Sequence, residues 1–404
     1  MTVRQVVIAG ASVAGLSAAD ALRDGGFDGS ITLLSDERRR PYDRPPLSKE
    51  LLSAEDELEL AWLRPAEHYA AQRLDLRLGH AAVGLDIDRR YVITSDGEAL
   101  PWDAVVVATG SRPRPLVTAE GRPLPVLRTA EDLRSLRAAA ARYGEVTLVG
   151  ASFIGLEIAA SLRELGVAVT VFGATPLPLG DVVGSEVAGD LRDLHLAHGV
   201  RMRMGVEVVS VSGAPGSFEI RTADGATHRT PYVVAGVGVQ PNDDWLVGSG
   251  VDLDAGVLCD AAGRTNVPGV WAAGDIAHFD HPLLGERVHV DHWTNAVQQG
   301  RLVGANIARG EAAEHTGVPY YWTDQYGRRL HSYGRRRPGD EAVVAEGALG
   351  TEEYLVLYGA GDAFHCVLSC GRERSLRPYR KLLQRRGTWH EALQLAGRGA
   401  DVTA

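Results

Sequence analysis

The sequence predicts an α/β chain: two βαβ units of one design, followed by a smaller α+β module. Three observations lead there. The stretch VVIAGASVAGLSAADALRDGGFDGSITLL, beginning at Val6, is matched in outline by VTLVGASFIGLEIAASLRELGVAVTVF, beginning at Val146, an offset of 146 - 6 = 140 residues. Two more short apolar runs, AVVVATGS and VWAAGDIA, meet glycines at Gly110 and Gly274, as parallel strands covered on both faces do. From about residue 318 the pattern changes to short alternating strands (LHSYG, EAVVAEG, EYLVLYG, AFHCVLSC), closed by a basic helix near Leu376 to Arg385.

In each repeat an apolar strand runs into a glycine turn, an amphipathic helix follows, and a second β-branched strand closes the unit. The first turn places Gly10, Ser12 and Gly15 at the spacing of a dinucleotide fingerprint. Gly10 permits the tight turn, a small residue at Ser12 lets backbone approach a pyrophosphate, and Gly15 lets helix pack on strand. The helix start then offers unpaired N–H groups and a partial positive charge to a diphosphate. An acid for the ribose hydroxyls belongs about 20 residues on; Asp36 lies 36 - 15 = 21 residues beyond Gly15, with Glu37 beside it. One such turn is weak support, because strand-to-helix glycine turns also arise for structural reasons alone. Two in matching contexts imply two Rossmann-like units and two bound dinucleotides.

The second unit repeats the turn at Gly150, Ser152 and Gly155, but Gly173 stands where its acid is expected, and no Arg or Lys follows until Arg192. A cofactor without a 2'-phosphate favours the acid, and one with it favours a cation. The missing cation favours NADH, with NADPH as the alternative. Asp275, at the end of a buried strand, reads either as a partner for a cofactor's sugar-alcohol chain or as a helix N-cap.

At 404 residues and 45% hydrophobic content the chain is expected to hold two or three domains with real interiors. A formal net charge of -10 without a basic, aromatic-interleaved stripe argues against nucleic acid as a partner. Apolar runs such as YVVAGVGV fall far short of the roughly 20 residues of a membrane span, and the first glycine motif begins too early for a signal peptide, so a cytoplasmic location is expected. Three cysteines, Cys259, Cys366 and Cys370, are too few and odd in number for a disulfide framework. Cys366 and Cys370 share a strand face and read as small core residues; with His365 they make too sparse a set for a metal site, and none is expected.

Taken in order, the segments GASVAGLSAADALR, PYDRPPLSK, VVVATGSRPRPL, LRTAEDLRSLR, VGASFIGLEIAASLRELG, AGVGVQPN, VWAAGDIA, DHWTNAVQQG and PYYWTDQYG resemble the ferredoxin-reductase branch of flavoproteins with a glutathione-reductase-like fold. The resemblance runs through nearly the whole chain, and PYDRPPLSK is its most specific part. It implies an FAD-binding domain from residues 1–112 and 242–317, an NAD(P)H-binding domain at 113–241, and a C-terminal α+β domain at 318–404 that covers the flavin. Carried over by position, it implies FAD contacts at Ala14, Asp36, Arg44, Lys49, Val83, Arg128, Asp275 and Trp293. Ala108, Thr109, Gly110, Ile154, Gly238 and Gly274 join the glycine-turn residues as further cofactor-binding candidates. Asp291 departs from the Glu common before HWTNA in relatives.

Lys49 is one of only two lysines, Lys381 being the other, in a chain that otherwise uses arginine. A solvated surface charge would be expected to follow the same habit. The resemblance instead places Lys49 beside the flavin ring, where a compact ammonium favours negative charge on reduced flavin. Its expected partner is Glu157, at the position matching Ser17 of the first unit. A carboxylate near a helix start often only complements the dipole, but this start is also expected to hold a diphosphate, so Glu157 makes sense pointing toward a cation.

The implied reaction takes hydride from NADH, or NADPH, onto FAD and passes electrons singly to a ferredoxin, of [2Fe-2S] or similar type, that feeds a cytochrome P450 or ring-hydroxylating oxygenase. A rubredoxin reductase is the nearby alternative. A non-catalytic NADH-responsive flavoprotein resembling apoptosis-inducing factor is the alternative of a different class. A disulfide reductase or a thiol-dependent peroxidase on the same fold needs a cysteine beside the flavin, and none occurs before Cys259. From residue 318 on, 13 basic residues stand against 10 acidic ones. That surplus reads either as a face that steers an acidic carrier or as ordinary solvated arginine. Monomer and homodimer are both compatible with the sequence.

Overall fold

A computed structural model describes residues 3–54 and 59–397; Arg398 and Asp401 of the basic module lie outside the described residues. Among the described residues no helix is long and apolar enough to cross a membrane. The chain divides into two compact units: residues 1–43, 61–112 and 240–319 form the first, and 44–60, 113–239 and 320–404 the second.

The first unit is built on a five-stranded parallel sheet, in the order Val270–Ala272, Ala104–Val107, Gln5–Ala9, Ser30–Ser35, Leu74–Leu78. Ala104–Val107 is apolar and buried at every position, as are residues 6–9 beside it and Leu33 and Leu34 beyond, because both faces are covered there. Val6, Ile8, Ala104 and Val106 point to one core with Leu16, Ala18 and Leu22 of the helix Val13–Asp24. Val7, Val105 and Val107 point to the other, with Val257, Phe279 and Val288. The helix Trp293–Arg309 lies against Val13–Asp24 so closely that a Cβ on Gly300 or Gly304 would strike the carbonyl oxygens of Ala14 and Ala18. Two three-stranded sheets complete the unit: an antiparallel meander at Ala82–Asp86, Tyr91–Thr94 and Ala99–Pro101, and a mixed one at Val257–Cys259, Ala277–His281 and Glu286–His289.

The second unit holds a four-stranded parallel sheet, Arg201–Met204, Ala168–Gly173, Glu145–Val149, Val233–Ala235, with the helix Phe153–Glu164 in its glycine-turn crossover. Its five-stranded antiparallel sheet runs Tyr320–Gln325, Arg328–Gly334, Ala363–Cys370, Tyr354–Ala360, Glu341–Gly347. Four of these strands coincide with the short runs expected from the sequence, and Tyr320–Gln325 is the additional one. Burial does not alternate along them as expected, residues 354–359 and 366–370 being buried at every position. The helix Gly180–Ala197 puts Val183, Val187 and Leu191 into the core formed by Tyr354, Tyr358, Cys366, Leu368 and Cys370. Cys366 and Cys370 are thus core residues, their thiols pushed up to about 12 and about 11 by burial. His365 turns to Asp340, with Nδ1 2.7 Å from a carboxylate oxygen. The basic helix spans Leu376–Gln384, burying Leu376, Tyr379, Leu382 and Leu383 while Arg377, Arg380 and Lys381 stay exposed.

Candidate cofactor cradles and the Lys49–Glu157 pair

In the first unit Gly10 has φ +111°, and a Cβ there would run into the carbonyl of Ala108. A Cβ on Gly15 would run into the carbonyl of Gly10, so the turn closes only with glycine at both places. The helix beyond it starts at Val13 with no acid in its first turn, and Ser12 makes no side-chain capping bond. Its leading N–H groups are therefore available to an anion. Gly274, at φ +82°, lies beside Ala14: a Cβ would stand 2.8 Å from the Ala14 methyl, and its N–H is spent on Gln299 Oε1 at 2.8 Å.

The remaining first-unit candidates sit around these strand ends. Ala108 is buried and its N–H bonds Ala9 O; Thr109 exchanges hydrogen bonds with Asn242, and Gly110 O accepts from Asn242 N. Asp36 is exposed just past the strand Ser30–Ser35, whereas Glu37 accepts a 2.6 Å bond from the Tyr42 hydroxyl. Asp275 accepts from Ser111 Oγ at 3.2 Å, and its own carbonyl meets the His289 ring. It precedes the strand Ala277–His281, so the helix N-cap alternative is not realised. Trp293 opens its helix with Nε1 donating to Asp43 at 2.7 Å, and Val83 is half-exposed on the meander.

The second cradle repeats the first. Gly150 has φ +114° and would clash through a Cβ with the carbonyl of Gly236, while Gly155 packs over Gly150 O. Ser152 here does cap its helix, accepting from Gly155 N at 3.2 Å, and Ile154 in the first turn is exposed. Gly238, at φ +96°, accepts from Arg114 N. Gly173 ends its strand under Met204, whose Cε is 2.5 Å and Sδ 2.9 Å from where a Cβ would be. Arg44 and Arg128 are joined, Arg44 Nη1 donating to Arg128 O at 2.7 Å, just before a helix whose capping box pairs Thr129 with Asp132.

Lys49 and Glu157 meet in the second unit. Two prolines, Pro45 and Pro46, open a tight 3₁₀ turn that buries Leu47 and Ser48 and delivers Lys49 at its end. Lys49 Nζ lies 2.7 Å from Glu157 Oε2, the two side chains 12% and 3% exposed. A carboxylate that deep needs more than one partner. Ser48 Oγ donates to the same oxygen at 2.5 Å and Thr323 Oγ1 to the other at 2.7 Å, while Ser161 Oγ fixes the turn through Ser48 O at 2.8 Å.

Ser48, Thr323 and, behind Thr323, Gln325 and His195 are site residues that sequence reading overlooked. Thr323 and Gln325 stand two apart in PYYWTDQYG and so share a strand face, which was the available signal; nothing in the sequence pointed to His195.

A family model described as pyridine nucleotide-disulphide oxidoreductase matches residues 4–300, and one described as reductase C-terminal matches 320–402. Rhodocoxin reductase of Rhodococcus erythropolis is 34% identical over 382 residues, 94% of this chain and 89% of the relative. Among solved structures, the ferredoxin reductase for the CYP199A2 system from Rhodopseudomonas palustris superposes with a TM-score of 0.91 at 30% identity, covering 98% of this chain and 97% of that one. The covalent putidaredoxin reductase–putidaredoxin complex contains a chain that superposes with a TM-score of 0.88 at 31% identity, covering 95% and 93%.

Proposed function

Because the chain belongs to the pyridine nucleotide-disulphide oxidoreductase family and carries a reductase C-terminal domain, we propose the following chemistry for its site. The protein is an FAD-dependent NAD(P)H:ferredoxin reductase. FAD supplies a two-electron acceptor for the nicotinamide hydride and a one-electron donor to an iron–sulfur carrier. The observation that carries this reading is the pair of glycine cradles, each closed to any side chain and each opening onto a helix start without an acid in its first turn.

In this reading Gly10, Ser12 and Gly15 hold the FAD diphosphate, with Asp36 free to take ribose hydroxyls and Asp275 the sugar-alcohol chain. Glu37, already bonded by Tyr42, serves the turn more than the ligand. Gly150, Ser152, Ile154 and Gly155 receive the pyridine nucleotide. Residues 1–112 with 242–317 form the FAD-binding domain, 113–241 the NAD(P)H-binding domain and 318–404 the C-terminal domain. Lys49, steadied by Glu157, presents one fixed ammonium to the negative charge that accompanies hydride arrival. The carrier is a [2Fe-2S]-type ferredoxin, serving an oxygenase or a P450. We place the reaction in the cytoplasm, where the three unpaired cysteines stay reduced.

The test is NADH-driven cytochrome c reduction by the purified yellow protein, with and without added ferredoxin. Rapid reduction that requires the ferredoxin is expected. A colourless protein that stays colourless after incubation with FAD, or slow reduction ending in a persistent charge-transfer complex, would overturn the reading.

A further inference from the structure

Behind the Lys49–Glu157 pair lies a run of buried polar side chains whose hydrogen bonds can point only one way. An ionised carboxylate has no proton to give, so Thr323 Oγ1, 2.7 Å from Glu157 Oε1, must donate to it. The Thr323 oxygen then accepts from Gln325 Nε2 at 3.2 Å. The amide oxygen of Gln325 faces His195 Nε2 at 2.8 Å, which must carry the ring proton. The bare Nδ1 accepts from the Tyr326 hydroxyl at 2.9 Å. Thr323, Gln325 and His195 are all at most 1% exposed, so no water competes for these bonds. Burial also pushes the His195 ring down to about 4, keeping it neutral.

The backbone at the far end carries a second sign. Tyr326 has φ +53° and Gly327 φ +73°, in the two-residue turn between the strands Tyr320–Gln325 and Arg328–Gly334. Such turns favour Asn or Gly at the first place, and a bulky residue there is strained. Here the ring is stacked on His198, centroids 3.8 Å apart, with its hydroxyl on His195.

We propose that Tyr326, His195, Gln325 and Thr323 form a one-way hydrogen-bond chain that fixes Glu157 as an anion with one oxygen turned to Lys49, and that Thr323, Gln325 and His195 are positioning residues for flavin reduction. The role in reduction rests on the reading of Lys49 given above; the direction of the chain does not.

Long-range ¹⁵N–¹H spectra of the FAD-loaded, histidine-labelled protein read the tautomer directly. His195 is expected as the Nε2–H form alone between pH 5 and 8, and Glu157→Gln, whose amide can donate to Thr323, is expected to admit the Nδ1–H form. Wild-type protein in the Nδ1–H form, or a Glu157→Gln spectrum unchanged from wild type, overturns the chain. Thr323→Val is expected to slow reduction by NADH about tenfold and to make a rate that is flat in the wild type fall below pH 6, with Thr323→Ser restoring both. A folded Thr323→Val variant with wild-type rate and pH profile overturns the positioning role. If the tautomer behaves as expected while the ferredoxin assay fails, the chain stands and the reductase reading falls.

Discussion

Met204 occupies the space that a side chain on Gly173 would need, its sulfur 2.9 Å from the position of a Cβ there. The strand end where an acid would meet a ribose is therefore closed by a neighbouring thioether on the adjacent parallel strand. Because that thioether is the end of a flexible, partly exposed side chain, Gly173→Asp alone is expected to push it aside at a cost of no more than about 1 kcal/mol of stability. With Met204→Ala in addition, the acid fits, and the NADH to NADPH ratio of kcat/KM should rise about tenfold or more. Steady-state kinetics with both nucleotides on the double variant checks this.

Removing either member of the Lys49–Glu157 pair strands the other in a site that is 12% or 3% exposed. Lys49→Gln and Glu157→Gln should each slow flavin reduction by about 10- to 100-fold. The double variant should be little worse than the slower single one, a coupling on the order of 1–3 kcal/mol in a stopped-flow double-mutant cycle.

The two glycine cradles can be separated by substitution. Gly150→Ala forces a methyl against the Gly236 carbonyl and disturbs only the second turn. The protein should stay yellow while its KM for NADH rises by about tenfold or more. Gly10→Ala, against the Ala108 carbonyl, should instead yield protein depleted of flavin, seen in the absorbance ratio after purification.

His195 and His315 are both held near 4 by burial, below their ordinary 6.5. Unfolded protein binds protons at these rings as pH falls from about 6.5 while folded protein does not. Stability is therefore full above pH 6.5 and declines toward pH 4, by up to roughly 3 kcal/mol for each ring. Urea midpoints measured from pH 7 to 4.5 should fall, and His315→Gln should flatten part of that slope.

Arg377 and Lys381 are exposed on the basic helix Leu376–Gln384 and take no part in either cradle. If the carrier is acidic, reversing both to glutamate raises its KM several-fold at low salt and leaves NADH–ferricyanide activity unchanged. The wild-type KM should converge on that of the variant as ionic strength increases.

The parallel cores were readable because strands buried on both faces leave uninterrupted apolar runs, and the cradles because a pyrophosphate turn admits glycine and little else. Lys49 was readable from composition, as one of two lysines where arginine prevails. The carboxylate cage was only partly so. Glu157 is fixed by Ser48 from one segment and Thr323 from another, and Thr323 in turn leans on His195, 128 positions earlier in the sequence. Long-range hydrogen bonds between single side chains leave no period in the sequence. Met204 escaped notice for the same reason: its relation to Gly173 exists only once two parallel strands are in register.

The edge strand Val270–Ala272 and the helix Trp293–Arg309 enter the first unit only after a whole second glycine-turn unit has been synthesised. Until they emerge from the ribosome, Val105 and Val107 lack part of their cover and Ala14 has nothing seated on its carbonyl. The amino-terminal cradle is thus the first to be translated and among the last to be finished. A nascent chain halted before residue 270 should remain a client of chaperones, unable to retain flavin however much is supplied.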